Sequence, residues 1–205
     1  MKRRIIAFIL LILIVGAILG YQRAPVESVV LSEYEVATFA GGCFWCMEAA
    51  FESVDGVVEA ISGYTGGTVV NPTYQEVSRG ETGHLEAVQV YYDPVVVSYS
   101  ELLDVFWMNV DPTDDGGQFV DRGSQYLTAV FYHDEAQRVE AEQSKMLLGA
   151  SGRFDETVVT GIVEFNVFYK AEEYHQDYYE KNVLQYKLYS SGSGRESFIE
   201  KHWDE

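Results

Sequence analysis

The stretch from Val36 to Gly56 constrains the fold more than any other. Val36 to Ala40 is a short apolar, β-prone run that stops at Gly41-Gly42, and beyond it Phe44, Met47, Ala50, Phe51 and Val54 recur at helical spacing as far as Gly56. The spacing predicts a strand, a glycine turn and a helix in immediate succession. Glycine leaves room for a substrate or another backbone to approach closely. The turn sets Cys43 at the N-terminus of the helix, with Cys46 one turn further along the same face.

The rest of the chain continues the mixture. Val57 to Tyr64 reads as a second strand, leading into a loop, Thr65-Gly66-Gly67-Thr68, that runs through Asn71-Pro72 to Tyr74. Leu85 to Tyr92 alternates as a strand does and closes at Asp93-Pro94. Ser98-Tyr99-Ser100-Glu101 is a capping box for a helix carrying Leu102, Leu103, Val105, Phe106 and Val110, which Asp111-Pro112 stops. A polar loop from Thr113 to Ser124 precedes a strand from Tyr126 to Tyr132, and Asp134 caps a helix reaching about Leu148. Thr157 to Val167 is the last clear strand, and Ala171 to Leu188 is an aromatic, acidic stretch that fits either helix or ordered loop. From Ser190 the chain is low in apolar residues and is expected to be mobile.

At 205 residues and 47% hydrophobic content, the chain can fill one sizeable core but not two. Strands and helices mixed with hairpin-compatible links favour an α+β fold. The expected form is a two-layer sandwich with a mixed or antiparallel sheet, packed helices and a ferredoxin-like core. The expected division is an N-terminal membrane anchor or signal segment at 1–22, a tether at 23–35, a globular domain at 36–186 and a polar tail at 187–205.

The run from Ile5 to Gly20 carries no charge and follows Lys2, Arg3 and Arg4 directly. It slightly exceeds the ~7–15 residues of a cleaved signal core and approaches the ~18–20 needed to span a bilayer. An uncleaved anchor is favoured, with cleavage and release to the periplasm or exterior as the alternative. The basic residues would stay in the cytoplasm, so the domain after Tyr21 is expected on the outer side of the cell membrane. Net charge is −18 and the compact basic cluster is confined to those first residues, which argues against nucleic acid as a partner. The acidity reads as a solvated exterior, and a monomer is the expected state.

Cys43 and Cys46 are the only cysteines, and an extracytoplasmic compartment would let a disulfide persist. A bridge between them closes a very short loop and would stabilise the fold little, since chain-entropy stabilisation grows with loop length. A pair this close is more useful when it opens and closes. The N–H groups at a helix N-terminus can stabilise the Cys43 anion, and Cys46 lies within reach to attack an oxidised Cys43, forming a disulfide that an external dithiol reopens. The spacing also fits half a zinc site, but His84, His133, His175 and His202 are widely separated and supply no ligand pair. Thioredoxin-like oxidoreductases place a tryptophan before their first cysteine, whereas Trp45 lies between these two. Phe44 and Trp45 can offer an apolar face beside the thiol or pack in the core.

Gly41-Gly42-Cys43-Phe44-Trp45-Cys46-Met47-Glu48 resembles the signature of the A-type peptide methionine sulfoxide reductases. Further matching segments follow in family order: Gly63-Tyr64-Thr65-Gly66-Gly67, Asn71-Pro72-Thr73-Tyr74, Thr82-Gly83-His84-Leu85-Glu86-Ala87-Val88 and Phe106-Trp107. Asp111-Pro112-Thr113, Asp121-Arg122-Gly123-Ser124-Gln125-Tyr126 and Tyr174-His175-Gln176 complete the set, so the similarity runs from about Ala37 to Asn182.

The resemblance implies thiol-dependent reduction of peptide-bound, and also free, L-methionine S-sulfoxide to methionine, in the repair of oxidised proteins. Cys43 would be the nucleophile at sulfur. Glu86 would supply the proton that the departing oxygen requires, provided burial keeps its carboxyl protonated. Tyr74 and Tyr126 match phenols that hydrogen-bond the sulfoxide oxygen, Phe44 and Trp45 would hold the substrate methyl, and Asp121 matches a polar residue near the same pocket. Cys43 would be left as a sulfenic acid, Cys46 would condense with it, and a thioredoxin-like protein would reduce the disulfide, with no metal or organic cofactor. Many family members have glycine at the place of Cys46 and carry recycling cysteines downstream. Here the tail has none, so recycling falls to Cys46 or to an outside thiol.

Overall fold

The computed structural model describes Val30 to Trp203. The expected membrane segment at 1–22 and most of the tether lie outside the described residues, and no helix inside them is long and apolar enough to cross a membrane. The chain enters through a single 3-10 turn, Leu31–Glu33, and begins its first strand β1 at Glu35–Gly41. Then follow α1 (Phe44–Glu52), β2 (Val57–Thr65), a one-turn helix α2 (Tyr74–Val77), β3 (Leu85–Tyr92) and α3 (Tyr99–Met108). A small hairpin of β4 (Gly117–Gln118) and β5 (Asp121–Arg122) precedes β6 (Thr128–Tyr132) and α4 (Glu135–Ala150). The chain closes with β7 (Gly161–Glu164), β8 (Phe168–Lys170), α5 (Tyr178–Lys181), α6 (Val183–Ser193) and α7 (Arg195–Trp203).

The main sheet has the order β7-β6-β1-β3-β2-β8. Its centre is the split β-α-β arrangement: β1 and β2, joined through α1, flank β3 and both run antiparallel to it, while β6 follows α3 and pairs antiparallel with β1. The ferredoxin-like core inferred from the element order is therefore present. β7 extends the sheet in parallel beside β6 and β8 in antiparallel beside β2, which makes the sheet mixed.

The helix-facing side of the sheet carries the main core. Phe39 of β1 stacks on Phe51 of α1 and Phe106 of α3 with ring centroids 4.8 and 5.4 Å apart, surrounded by Met47, Val88, Val90, Leu102 and Leu103. Each such side chain, fully withdrawn from water, contributes roughly 1.5–3 kcal/mol. The opposite side is lined by Ala40, Ala87, Ala129 and Phe131. Sequence capping signals act where expected. Ser98 and Glu101 form a reciprocal capping box on α3, and Asp134 accepts the Gln137 N–H at the start of α4.

Three stretches differ from the sequence expectation. Of the strand expected at Thr157 to Val167 only Gly161–Glu164 (β7) forms; the chain then crosses through Phe165 to β8, just beyond that span, on the opposite edge of the sheet. The strand expected from Tyr126 starts at Thr128, and Tyr126 sits in a 3-10 turn, Ser124–Tyr126, that turns its ring toward the site. The polar tail at 187–205, expected to be mobile from Ser190, is helical as far as Trp203. Gly194, at φ +93°, makes the sharp turn between α6 and α7. Few residues anchor these helices, which is why the composition looks tail-like. Phe198 packs on Phe119 and Phe154, the Arg153 guanidinium lies 4.2 Å over the Trp203 ring, and Arg195 is buried.

Deleting residues 194–205 should therefore lower unfolding stability by more than about 2 kcal/mol in urea titration, since it exposes an apolar contact layer. An unchanged midpoint would contradict this packing.

Candidate active site

The site is built on the junction of β1 and α1. Gly42 adopts φ +78°, and a Cβ there would stand 2.6 Å from Cβ of Gln118, so both the backbone and its surroundings demand glycine. Cys43 is the N-cap of α1, yet its side chain makes no capping bond. The cap comes from another strand: the N–H of Phe44, one of the donors a helix start leaves unpaired, donates to Oε2 of Glu86 at 3.1 Å. Glu86 is only 2% exposed, because β3 alternates and Glu86 shares its face with the core residues Val88, Val90 and Tyr92. Burial pushes its carboxyl up to about 8, against the downward pull of the Phe44 N–H. At neutral pH this carboxyl holds its proton.

Two phenols approach the same space. Tyr74 starts α2, whose entry is fixed by a capping box between Thr73 and Glu76 and by the Tyr74 N–H donating to Glu172 at 2.9 Å. Glu172 also accepts the Tyr64 hydroxyl at 2.8 Å. Burial pushes Tyr74 up to about 12 and Tyr126 further, so both remain hydroxyl donors. Trp45 stacks on Tyr178 at 3.8 Å between ring centroids, and its Nε1–H donates to Nδ1 of His175 at 3.1 Å. His175 accepts at Nδ1, so its ring is neutral with the proton on Nε2, and burial lowers its basicity further. Its neighbour Gln176 is fully engaged with the backbone of Ser62 and Ala171. His84 accepts the Gly67 N–H and pairs with the Val69 carbonyl, shaping the glycine loop.

Cys43, Phe44, Trp45 and Glu86 line one small pocket of about 50 Å³ together with Tyr74, Tyr126 and Asp121. Every sequence-predicted site residue except Cys46 thus converges there. The pocket's eighth member, Tyr189 of α6, was not anticipated, and its hydroxyl donates to Asp121. Tyr186 and Tyr189 lie three residues apart, a spacing that puts both on one helix face, and this was the available signal. Cys46, hydrogen-bonded to Cys43, lines a neighbouring cavity of about 210 Å³ with Tyr186 and Arg195. Among the described residues no group of His, Cys, Asp and Glu side chains could hold a metal ion.

The two thiols are both free and buried, and they differ in acidity. Burial, then the neighbouring Cys46, raises Cys43 well above the ordinary thiol range, whereas the hydrogen bond with Cys43 first, then Arg195 and Tyr186, draws Cys46 down to about 7. The helix N-terminus was expected to favour a Cys43 anion. It does not do so at rest, because Glu86 occupies the Phe44 N–H and burial disfavours charge.

A vicinal thiol pair with a buried, protonated carboxyl and two phenols beside one of its sulfurs defines a thiol-based oxidoreductase that can protonate what its sulfur displaces. The sequence model described as peptide methionine sulfoxide reductase matches residues 35–205. The chain is 54% identical over 169 residues to a peptide methionine sulfoxide reductase MsrA of Bacillus licheniformis, covering 82% of this chain and 93% of the relative. The Listeria innocua MsrA is likewise 54% identical, with 82% and 96% covered. Among solved structures, the reduced form of Mxr1 from Saccharomyces cerevisiae superposes with a TM-score of 0.69 at 33% identity, covering 73% of this chain and 86% of that one. Methionine sulfoxide reductase A of Corynebacterium diphtheriae gives 0.68 at 32%, with 80% and 82% covered. The chain belongs to the peptide methionine sulfoxide reductase family, and its activity is the thiol-dependent reduction of methionine sulfoxide to methionine.

Glu48 of α1 is fully buried with both carboxyl oxygens unpartnered, and burial raises it to about 8. The folded state thus keeps a proton that the unfolded chain, near pH 4.3, releases. Stability from this group is complete below that pH and is lost as pH rises toward 8, at about 1.4 kcal/mol per pH unit in the window. Glu48→Gln should flatten the decline of Tm between pH 5 and pH 8 in calorimetry. An unaltered slope would show that Glu48 is ionised in the folded protein.

Proposed function

We propose that Cys43 attacks the sulfur of a methionine S-sulfoxide in oxidised proteins and peptides while Glu86 protonates the oxygen. Cys43 passes its proton to Glu86 as it bonds to the sulfur, and the proton Glu86 held goes to the oxygen; the oxygen then transfers from that sulfur to the Cys43 sulfur as the sulfur–sulfur bond breaks, so methionine leaves, Cys43 is left as a sulfenic acid and Glu86 is protonated again. Cys46 then displaces that oxygen as water, and a thioredoxin-class dithiol reduces the resulting disulfide. The observation that carries this reading is the buried Glu86 carboxyl, proton-bearing near neutrality, in the same pocket as Cys43.

Tyr74 and Tyr126 are the donors to the sulfoxide oxygen, and Phe44 with Trp45 forms the apolar wall for the methyl group. Asp121, anchored by Tyr189, completes the polar side. The small pocket suits the end of one side chain, which lets the rest of a peptide stay outside. We also take Ile5 to Gly20 as a membrane anchor with the catalytic domain on the outer side, where it would repair oxidised proteins. The supporting facts are the uncharged run behind three basic residues and a family match that begins only at residue 35. N-terminal sequencing of the mature protein from the membrane fraction should begin at or near Met1; a start beyond Gly20 would mean cleavage.

Glu86→Gln should lower kcat/KM for a peptide S-sulfoxide by about 10²–10⁴-fold, the usual worth of a positioned acid, with the R epimer inert throughout. A loss under threefold would remove Glu86 from the reaction. Cys46→Ser should release one methionine per molecule and then recycle poorly with thioredoxin. Sustained turnover with thioredoxin would sink the role given to Cys46.

A further inference from the structure

Arg195 is the one buried arginine of the described residues, and its surroundings are unusual for a cation. It is 5% exposed in a chain of net charge −18, yet no carboxylate lies within salt-bridge distance among the described residues. Its Nη atoms donate instead to neutral acceptors: the carbonyls of Gly41 at 3.0 Å and of Asn109, and Sδ of Met47 at 3.4 Å. Nε is buried with no partner. A guanidinium withdrawn from water is costly unless an anion compensates it, and the abundance of acidic side chains makes the missing carboxylate the more telling. The free thiol Cys46 lines the same cavity as Arg195, with the phenol of Tyr186 beside it.

We propose that Arg195 and Tyr186 form a cradle for the Cys46 thiolate, and that this cradle sets the speed with which Cys46 resolves the oxidised Cys43. The inference rests on the reaction sequence given under Proposed function. In that step the Cys46 sulfur, its proton already released to solvent, supplies the electron pair of the new sulfur–sulfur bond. The sulfur–oxygen bond of the Cys43 sulfenic acid breaks, and the oxygen takes the Glu86 proton and departs as water. Cys46 is oxidised and the Cys43 sulfur reduced, so the electrons balance without another reagent. Glu86 is refilled from solvent.

The geometry divides the labour between two cavities that meet at the hydrogen-bonded thiol pair. Cys43 faces a closed pocket whose carboxyl and phenols are proton donors, and it rests as a thiol. Cys46 faces a cavity holding a fixed cation, and its acidity lies near neutrality. The charged and titratable groups around Cys46 are Arg195 and Glu196 of α7, Tyr186 and Tyr189 of α6, Asp121 of β5, Glu86 of β3 and Cys43 itself. In the reduced pair the hydrogen bond from the Cys43 thiol is the largest stabilisation of a Cys46 anion; once Cys43 is a sulfenic acid that thiol is gone, and Arg195 with Tyr186 must outweigh burial and the carboxyls for the thiolate to form. Arg195 is a positioning residue: it acts through Cys46 and does not reach the sulfoxide pocket. Its bond to the Gly41 carbonyl also ties α7 to the turn that presents Cys43.

The test uses full-length protein, fully reduced, mixed with excess S-sulfoxide peptide and no reductant between pH 5.5 and 9. Methionine formed and free thiol remaining are read separately after acid quench. In the unmodified protein, disulfide formation should rise with pH through a midpoint below the ordinary thiol value of about 8.5. In Arg195→Met and Tyr186→Phe the midpoint should move up by at least one unit, so disulfide formation at pH 6 slows about tenfold, with a much smaller change in methionine formation. Arg195→Lys should restore most of the loss.

Midpoints unchanged in both Tyr186→Phe and Arg195→Met would overturn the cradle. Equal slowing of both steps with no midpoint shift would overturn it too, reducing Arg195 to a structural anchor. If Arg195→Met fails to fold, Tyr186→Phe and Arg195→Lys carry the test alone: a Tyr186→Phe midpoint within 0.3 unit of the unmodified protein refutes the proposal. If the unmodified protein yields methionine but loses no thiol pair, the resolving role of Cys46 itself fails. That result is distinguishable from a failure of Arg195.

Discussion

The hydrogen bond from the Phe44 N–H to Glu86 joins the start of α1 to the middle strand of the split β-α-β unit. A helix start needs an acceptor there, and the fold supplies a carboxyl from β3 in place of the usual local side chain. Two consequences follow from that substitution. The carboxyl is drawn into the core face of the sheet, where charge is costly and the proton stays on. The capping residue, Cys43, is released from capping and keeps its sulfur for chemistry.

The rest of the architecture serves this junction. Antiparallel pairing of β3 with both β1 and β2 places Glu86 opposite Tyr64 and close to the glycine turn after β1. Gly42 lets the chain turn under Gln118 without a side chain in the way. The segment carrying His175 and Gln176 clamps Trp45 from outside, and the C-terminal helices close the far side of α1 with Tyr189 on one cysteine's pocket and Arg195 on the other's. The two thiols, three residues apart, therefore occupy different electrostatic environments, one poor in anion stabilisation and rich in proton donors, the other beside a cation.

Much of this was legible in the sequence. The periodicity of Val36 to Val54 and the capping signals at Ser98 and Asp134 located the elements of the core, and the element order yielded its topology. The convergence of Cys43, Phe44, Trp45, Tyr74, Glu86, Asp121 and Tyr126 was carried by the family resemblance rather than by any local pattern. Glu86 taken alone looks like an exposed strand position; the structure puts it on the buried face of β3 with Val88, Val90 and Tyr92. The C-terminal helices were hidden because anchoring by a few aromatics, one buried arginine and a glycine turn leaves composition that resembles a tail. The resting protonation of Cys43 was hidden for a different reason. A helix N-terminus stabilises an anion only while its N–H groups are free, and only the tertiary structure shows that Glu86 takes one.

The most direct test of this account is the titration of Glu86 itself. Carbon NMR of protein labelled at glutamate carboxyls, with the Glu86 signal identified by its absence in Glu86→Gln, reports the proton without reference to turnover. The account predicts a carboxyl still protonated at pH 6.5 and titrating near 8. A signal titrating near the ordinary ~4.3 of glutamate would show an ionised Glu86 at neutral pH, and the proton-donor role would fall.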